Sequence, residues 1–381
     1  MIEDAEKAPE AQAEAAVEAE AEQFRCPSCR AEMIFDAGAS KMACAHCGHA
    51  MEVGGAEGHE NIVEHDLEAG LDAAAERGFG ALVRASQCEE CGATVSFDAV
   101  VTATACDFCG SSHVLEQESN RNLIRPESVV PFQVDDGRAR GQFGAWQKQL
   151  WFRPSDLKSR SRRVQISGVY VPYWTFDAGV DSSWTAQSGY YYYVDESYTT
   201  TDSQGNTVRK TRRVRKIRWR PSWGERTDAY DDVLVCASHG LPTDLAEKLK
   251  TFDTSHLKPY RPEYLSGWKA EEYAIELNAG WSAAVSKMES SQRSRCASDV
   301  PGDTHRFLRV TNRFYDETFK HVLLPIWISS YRYRDKVYRF LVNGQTGEVT
   351  GEAPWSWLKI TLAVAVVVGL AVGAWLLFAN G

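Results

Sequence analysis

Eight of the ten cysteines in this 381-residue chain fall into two copies of one pattern, C-x2-C-x14-C-x2-C. The copies read CPSCRAEMIFDAGASKMACAHC and CEECGATVSFDAVVTATACDFC. Two C-x-x-C turns at this separation can place four thiolates around one tetrahedral ion, with a short hairpin between the turns. The predicted ligands are Cys26, Cys29, Cys44 and Cys47 for one zinc ion and Cys88, Cys91, Cys106 and Cys109 for a second.

Disulfides and a redox dithiol are the competing interpretations of these cysteines. Disulfides form in oxidising compartments, and the first 23 residues lack the basic and apolar regions of a signal peptide. Four thiolates also leave no open position for a reactive water, which is typical of structural zinc. His46, His49 and His113 lie close to the cysteines and remain alternative ligands. We therefore expect a duplicated zinc ribbon with two structural zinc ions.

Several segments must position these cysteines. The zinc ribbons are expected over residues 24–52 and 86–118, with a helical connector over residues 60–80 that begins at a capping box of Asn61 and Glu64. The acidic, alanine-rich segment 1–23 is expected to be a disordered tail. Residues 120–354 are predicted to form one cytoplasmic α+β domain that contains an antiparallel sheet.

Local patterns indicate the strands and helices of this domain. The runs GVYVPYWTFDAGVDSSW and GYYYYVDESYTTT have the aromatic and β-branched composition of strands. HRFLRVTNRFYDE, HVLLPIWISSYRY and KVYRFLVNGQTGEVTGE predict an antiparallel meander. TDLAEKLKTF and AEEYAIELNAGWSAAVSKMESSQRSRC predict helices.

The segment from Ile360 to Ala379 has twenty residues and no charge, and as a helix it would span about 30 Å, the thickness of a bilayer core. We expect one transmembrane helix over residues 358–379. Basic residues upstream, such as Lys359, predict a tail-anchored, single-pass protein of the cell (inner) membrane with its N-terminal part in the cytoplasm. Ala365, Gly369 and Gly373 form a small-residue face suited to homo- or hetero-oligomers, although such residues are common in membrane helices.

The segment from Arg209 to Arg220 is the strongest candidate binding surface outside the cysteines. Eight of its twelve residues are basic and none is acidic: Arg209, Lys210, Arg212, Arg213, Arg215, Lys216, Arg218 and Arg220. Such a strand suits nucleic-acid phosphates, anionic lipid head groups or an acidic protein partner. It equally suits a solvated edge strand, or one paired with acids such as Asp195, Glu196 and Asp232.

Composition and motifs argue against a generic nucleic-acid binder and against common enzyme classes. The formal net charge is −10, which disfavours non-specific binding of the whole chain to nucleic acid. No Gly-Lys dipeptide occurs, so the P-loop lysine is missing, and neither H-E-x-x-H nor G-x-S-x-G is present. We therefore expect a protein that is not an enzyme, although a site assembled from distant residues would leave no local pattern.

The two ribbons, the segments GVYVPYWTFDA and LLPIWISSYRYRDKVYRFLVNGQTGEV, and the apolar C-terminal helix together resemble a family of bacterial membrane proteins with TFIIB-type zinc ribbons. Its members are often labelled as similar to primosomal protein N' (replication factor Y). That label rests on the cysteine segment, because a primosomal helicase has a P-loop core that this chain lacks. A Gram-positive relative of similar layout is associated with PspA-type membrane-stress proteins.

The resemblance implies a membrane-anchored adaptor with a cytoplasmic or membrane-associated protein partner, in a membrane-stress response. In this interpretation the two zinc ribbons form a docking arm with a two-point grip, which raises the concentration of the partner at the membrane. The alternative is a membrane-tethered nucleic-acid-binding protein without helicase activity.

Overall fold

The computed structural model describes residues 24–53, 62–72, 84–97, 105–118, 120, 123–154, 166–201, 204–249, 252–334 and 336–379. The predicted acidic tail, 1–23, lies outside these residues, as do residues 60–61 and 73–80 of the predicted connector; in its described part, 62–72, the helix begins only at Leu67, after the short strand His65–Asp66. Within the described ranges, two cysteine clusters precede a large sheet-containing body and one apolar C-terminal helix. This arrangement confirms the predicted α+β class.

In the described part of the chain, the strands form two sheets. A three-stranded sheet holds β1 (Met33–Asp36), β2 (Lys41–Cys44) and β3 (Ala50–Met51). The second sheet has twelve strands: β4 (His65–Asp66), β5 (Arg84–Cys88), β6 (Thr94–Phe97), β7 (Val114–Glu118), β8 (Ser128–Val129), β9 (Ser167–Thr201), β10 (Thr207–Cys236), β11 (Lys258–Pro259), β12 (Lys269–Glu271), β13 (Thr304–Tyr333), β14 (Lys336–Asn343) and β15 (Val349–Gly351).

Three strands of the large sheet are very long. Strand β9 has 35 residues, and it pairs antiparallel with β10 on one side and with β13 on the other. The two runs that predicted separate strands are continuous in β9, and the first two runs of the predicted meander are continuous in β13. A bulge between Tyr315 and Thr318, with Asp316 at a φ of 51°, lies where the runs of β13 meet.

Aromatic rings cover glycines within these long strands. Gly179 faces Tyr315 and Gly224 faces Trp184, and a Cβ on either glycine would lie 2.2 to 2.5 Å from the ring. A ring on the neighbouring strand thus fills the space that the missing side chain leaves. The glycines therefore sit inside continuous strands rather than at turns.

Five α-helices lie in the described residues: α1 (Leu67–Asp72), α2 (Asp136–Gln149), α3 (Thr243–Lys248), α4 (Leu277–Asp299) and α5 (Trp357–Ala379). Helix α4 packs on the large sheet, where Gly280 allows a close approach to Trp174, which is fully buried. The indole of Trp174 donates to the Ile275 carbonyl at 2.8 Å, so this large side chain is buried without an unpaired donor.

Candidate metal centres and the basic arm

The four cysteines of the first pattern converge at one end of the β1–β2 hairpin. Cys26 Sγ lies 3.5 Å from Cys47 Sγ, and Cys29 Sγ lies 3.5 Å from Cys44 Sγ. All four sulfur atoms lie within 4.8 Å of one another. A tetrahedral ion with metal–sulfur bonds of about 2.3 Å requires sulfur–sulfur separations of about 3.8 Å. This cluster, with its hairpin, is called ribbon 1, and its four thiols fit a single metal ion.

The second pattern forms an equivalent cluster, called ribbon 2. Its sulfur atoms also lie within 4.8 Å of one another, with Cys88 3.6 Å from Cys109 and Cys91 3.5 Å from Cys106. Among the described residues, both clusters are made of cysteines alone. The nearby His113 instead places its Nδ1 3.5 Å from Glu90.

Backbone hydrogen bonds shape all four C-x-x-C turns in the same way. The residue after the second cysteine donates its N–H to the carbonyl of the first: Arg30 to Cys26, Gly48 to Cys44, Gly92 to Cys88 and Gly110 to Cys106, at 2.8 to 2.9 Å. The turns also present N–H groups to the sulfur atoms. A hydrogen bond from the Cys47 backbone lowers the pKa of the Cys44 thiol, whereas the contact with Cys26 helps to hold the pKa of the Cys47 thiol above its usual value, as expected for sulfurs that share one small site.

Ribbon 1 is held against the body by strand β1. The Phe35 N–H donates to the Ser266 carbonyl at 3.0 Å, and the Trp268 indole donates to the Phe35 carbonyl at 2.8 Å. The Ser266 hydroxyl donates to the Met33 carbonyl at 2.7 Å. Phe35 itself is 1% exposed and contacts Tyr264 edge to face. Ribbon 1 is therefore a separate small sheet that rests on the loop before β12.

Ribbon 2 is built into the large sheet. Its strand β6 pairs antiparallel with β12, which in turn pairs with β9. Lys269 of β12 places its Nζ 2.8 Å from the Asp107 carboxylate, which lies between the second pair of cysteines. Arg339 of β14 donates to the carbonyl of Phe108, a fully buried side chain in the same turn. The second cluster thus continues the body rather than extending from it.

Two glutamates of the β12 region are buried next to ribbon 2. Ser96 of β6 donates to Glu272 at 2.6 Å, and Ser238 donates to Glu271 at 2.7 Å. Burial raises the pKa of Glu271 to about 8, which favours the neutral form of this carboxyl. Desolvation therefore disfavours a charge at this point of the join between ribbon 2 and the body.

The basic segment lies on a two-stranded arm. Strand β13 begins at Thr304, which pairs with Gly189, so β9 and β10 continue beyond it as a hairpin. We call residues 190–201 and 207–220 the basic arm. About twelve residues of extended strand give it a length of about 40 Å. The structure places all eight predicted basic residues here with exposed side chains: Arg209, Lys210, Arg212, Arg213, Arg215, Lys216, Arg218 and Arg220.

Tyrosines on β9 stack against these arginines on both faces of the arm. On one face, Arg218 lies 5.3 Å from the ring centre of Tyr192. On the opposite face, Arg213 lies 4.6 Å from Tyr193. These tyrosines were not among the residues predicted for this surface, although the run of four from Tyr190 to Tyr193 is a visible signal. Guanidinium groups stacked on rings keep their edges available for anions.

The acids considered as partners of the arm are placed differently. Glu196 lies 2.8 Å from Lys216 and 3.7 Å from Arg212, at exposed positions where such pairs contribute little. Asp232 lies at the other end of β10, where it pairs with the buried Lys320 at 2.9 Å. Most of the positive charge of the arm therefore faces solvent.

Helix α5 is long and apolar enough to cross a membrane. Its segment Trp357–Trp375 has a mean hydropathy of 2.1, and none of it is buried against the body. Ala365, Gly369 and Gly373 follow one another at four-residue spacing along the helix. A Cβ at Gly369 or Gly373 would meet nothing within 4 Å, so this face is open along the described helix.

The chain is similar to the uncharacterized protein YdjG of Bacillus subtilis (strain 168). The two are 27% identical over 363 residues, which cover 91% of this chain and 94% of YdjG. The similarity therefore covers most of the length of both chains. No protein-family model matches the chain, and no solved structure is significantly similar to it.

Proposed function

We propose that this chain is a membrane-anchored adaptor that holds a protein partner at the cytoplasmic face of the cell membrane. Helix α5 provides the anchor, and each four-cysteine cluster holds one structural zinc ion. The sulfur geometry and the all-thiolate ligand sets support zinc, since they offer no open coordination position. Neither cluster is expected to be catalytic.

The observation that carries the adaptor proposal is the basic arm. Ribbon 2 is part of the large sheet, and ribbon 1 rests on the body. The arm, in contrast, extends past the first residue of β13, Thr304, with both of its faces exposed. We therefore propose that the partner docks on the arm and not on the two ribbons. Its exposed arginines suit an acidic protein surface, because Arg binds carboxylates in a bidentate manner.

The position of the arm favours a cytoplasmic partner over lipid. The Tyr331 hydroxyl, near the end of β13, donates to the carbonyl of Glu352, just before α5. The base of the arm pairs with Thr304 at the other end of the same strand, about 90 Å away along the strand path. The arm and the anchor thus belong to opposite ends of β13.

Co-purification from native membranes tests this proposal. Full-length tagged protein would be extracted in mild detergent, treated with nuclease, and its bound proteins identified by mass spectrometry. The arm variant carries Arg213→Gln, Arg215→Gln and Arg218→Gln. The matched control carries Arg138→Gln, Arg293→Gln and Arg309→Gln, three exposed positions outside the arm.

We expect an acidic protein to co-purify with the wild type even after nuclease treatment. The control variant should still bind this protein, and the arm variant should not. A PspA-type protein is the candidate implied by the family resemblance. A set of bound proteins that is identical for both variants would contradict docking through the arm.

Nucleic acid is the second candidate ligand, because a two-stranded β-ribbon fits the major groove of DNA. In that case duplex binding should weaken steeply with salt. The arm variant should reduce the slope of log K against log salt by about 3, one for each lost phosphate contact. The same slope for the arm variant and its control would exclude this candidate.

A further inference from the structure

We propose that the loop after helix α2, residues 150–154, inserts Trp151 and Phe152 into the interface of the same bilayer that α5 crosses. This inference rests on the proposed membrane anchor and adds a second contact with the lipid. Loop and helix are more than 200 residues apart in sequence, yet they meet where α5 begins.

Hydrogen bonds attach the loop to the start of α5. The Lys359 ammonium donates to the Arg153 carbonyl at 2.8 Å and to the Trp151 carbonyl at 3.3 Å. The Ser356 N–H donates to the Phe152 carbonyl at 2.8 Å. Three consecutive carbonyls of the loop are therefore satisfied by groups from the base of the anchor.

A cation–π contact completes the attachment. The Arg153 guanidinium lies 3.7 Å from the ring centre of Trp355 and also donates to the Ala353 carbonyl. Both residues of this contact lie at the level where α5 leaves the body. The loop is thereby fixed in position relative to the helix axis, because three of its five residues are bonded to segment 353–359.

The side chains of the loop are exposed although its backbone is satisfied. Trp151 is 79% exposed and Phe152 is 42% exposed, next to Trp355 and Trp357, at 59% and 74%. Unpaired backbone groups are costly at the depth of the hydrocarbon, and the bonded carbonyls avoid that cost. Tryptophans concentrate at membrane interfaces, where the ring is apolar and the indole N–H is wet. A bilayer interface is thus the surface that this cluster fits.

The arrangement has a mechanical consequence. A single helix would leave the body free to tilt about its point of entry. A second contact, made by a loop bonded to the helix base, restricts that tilt and orients the strands of the large sheet with respect to the membrane.

Photo-crosslinking in native membranes tests this inference in the full-length protein. Trp151 would be replaced by p-benzoylphenylalanine, and lipid adducts would be identified by mass spectrometry. Trp223, which is 77% exposed on β10 near the base of the arm, is the matched negative position. Val367, which is 65% exposed within α5, is the positive position.

We expect lipid adducts at positions 151 and 367 and none at position 223. Adducts at 367 without adducts at 151 would overturn the loop inference and leave the anchor intact. No adducts at 367 would contradict the anchor, and the loop inference would fail with it.

A second variant tests the role of Lys359. With the probe at position 151, Lys359→Met should diminish lipid adducts there, because the loop loses two of its bonds and keeps those with Ser356 and Ala353, while adducts at 367 persist. Lys359→Arg retains a donor and should preserve them. Undiminished adducts in Lys359→Met would show that this lysine does not hold the loop.

Discussion

At the scale of residues, the four C-x-x-C turns differ at one informative position. Gly48, Gly92 and Gly110 follow the second cysteine with φ between 72° and 76°, whereas Arg30 occupies the equivalent position with a φ of 58°. A left-handed conformation costs a residue with a Cβ about 1–2 kcal/mol, and glycine avoids that cost. The first turn of ribbon 1 is therefore the strained one.

Arg30→Gly removes this strain, while the greater freedom of glycine in the unfolded chain offsets part of the gain, so ribbon 1 is expected to be stabilised by about 0.5–1 kcal/mol. The measurement is retention of the first zinc ion against a competing chelator. Arg30→Ala removes the charge but keeps the strain, so it should give no gain. Gly92→Arg imposes the strain on ribbon 2 and should weaken zinc retention there. Equal retention in Arg30→Gly and Arg30→Ala would contradict this account.

The residues of the cysteine clusters, the basic arm and the membrane-facing loop differ in how far the sequence predicts their positions. The eight cysteines follow from their spacing, because a C-x-x-C turn has little freedom in where it places its sulfurs. The stacking of Tyr192 on Arg218 depends on the pairing of β9 with β10, which the spacing of residues does not show. Trp151 gave no signal in sequence either, since its position beside Lys359 is a tertiary contact.

At the scale of elements, the main difference between prediction and structure is the length of the strands, because runs predicted as separate strands are continuous in β9 and β13. Rings from neighbouring strands cover Gly179 and Gly224, so the strands continue past both glycines. The predicted helix that begins with AEEY starts later, at Leu277, because Ala270 and Glu271 belong to β12. There, pairing with β6 and β9 prevails over the local helical pattern.

The two ribbons are predicted to differ in their effect on the body. Cys26→Ser with Cys29→Ser, and Cys88→Ser with Cys91→Ser, should each remove about one zinc ion per chain. Loss of the second zinc should also destabilise the body by several kcal/mol, because β6 bridges to β9 through β12. Loss of the first should leave the body folded, because ribbon 1 is a separate sheet.

Metal content measured by elemental analysis and unfolding followed by denaturant titration check these outcomes. Zinc content that is unchanged in either double variant would contradict four-thiolate ligation at that cluster. A body equally stable in both variants would show that ribbon 2 is not coupled to the large sheet as its strand pairing indicates.

At the scale of the whole molecule, β13 joins the proposed docking surface to the proposed membrane anchor. Its end near Tyr331 is joined to the segment that enters the proposed membrane helix, and its beginning at Thr304 supports the basic arm. A partner bound to the arm would therefore be held at a distance from the bilayer set by the sheet. Because β9, β10 and β13 form a continuous ladder over most of this length, the sheet is a stiff spacer rather than a flexible linker.

Trypsin accessibility should report which side of the membrane the arm occupies. The arm exposes eight lysines and arginines, and Arg209 and Lys210 lie close to its tip, where cleavage of a hairpin is easiest. In inverted membrane vesicles, trypsin should cleave within the arm and produce one fragment with the N-terminus and another with helix α5. In intact spheroplasts the arm should be protected until the membrane is permeabilised.

The variant with Arg213, Arg215 and Arg218 replaced by glutamine should lose those three cleavages and identify the fragments. Cleavage of the arm in intact spheroplasts would place the body outside the cytoplasm, and the adaptor proposal would then fail because its cytoplasmic partner could not reach the arm.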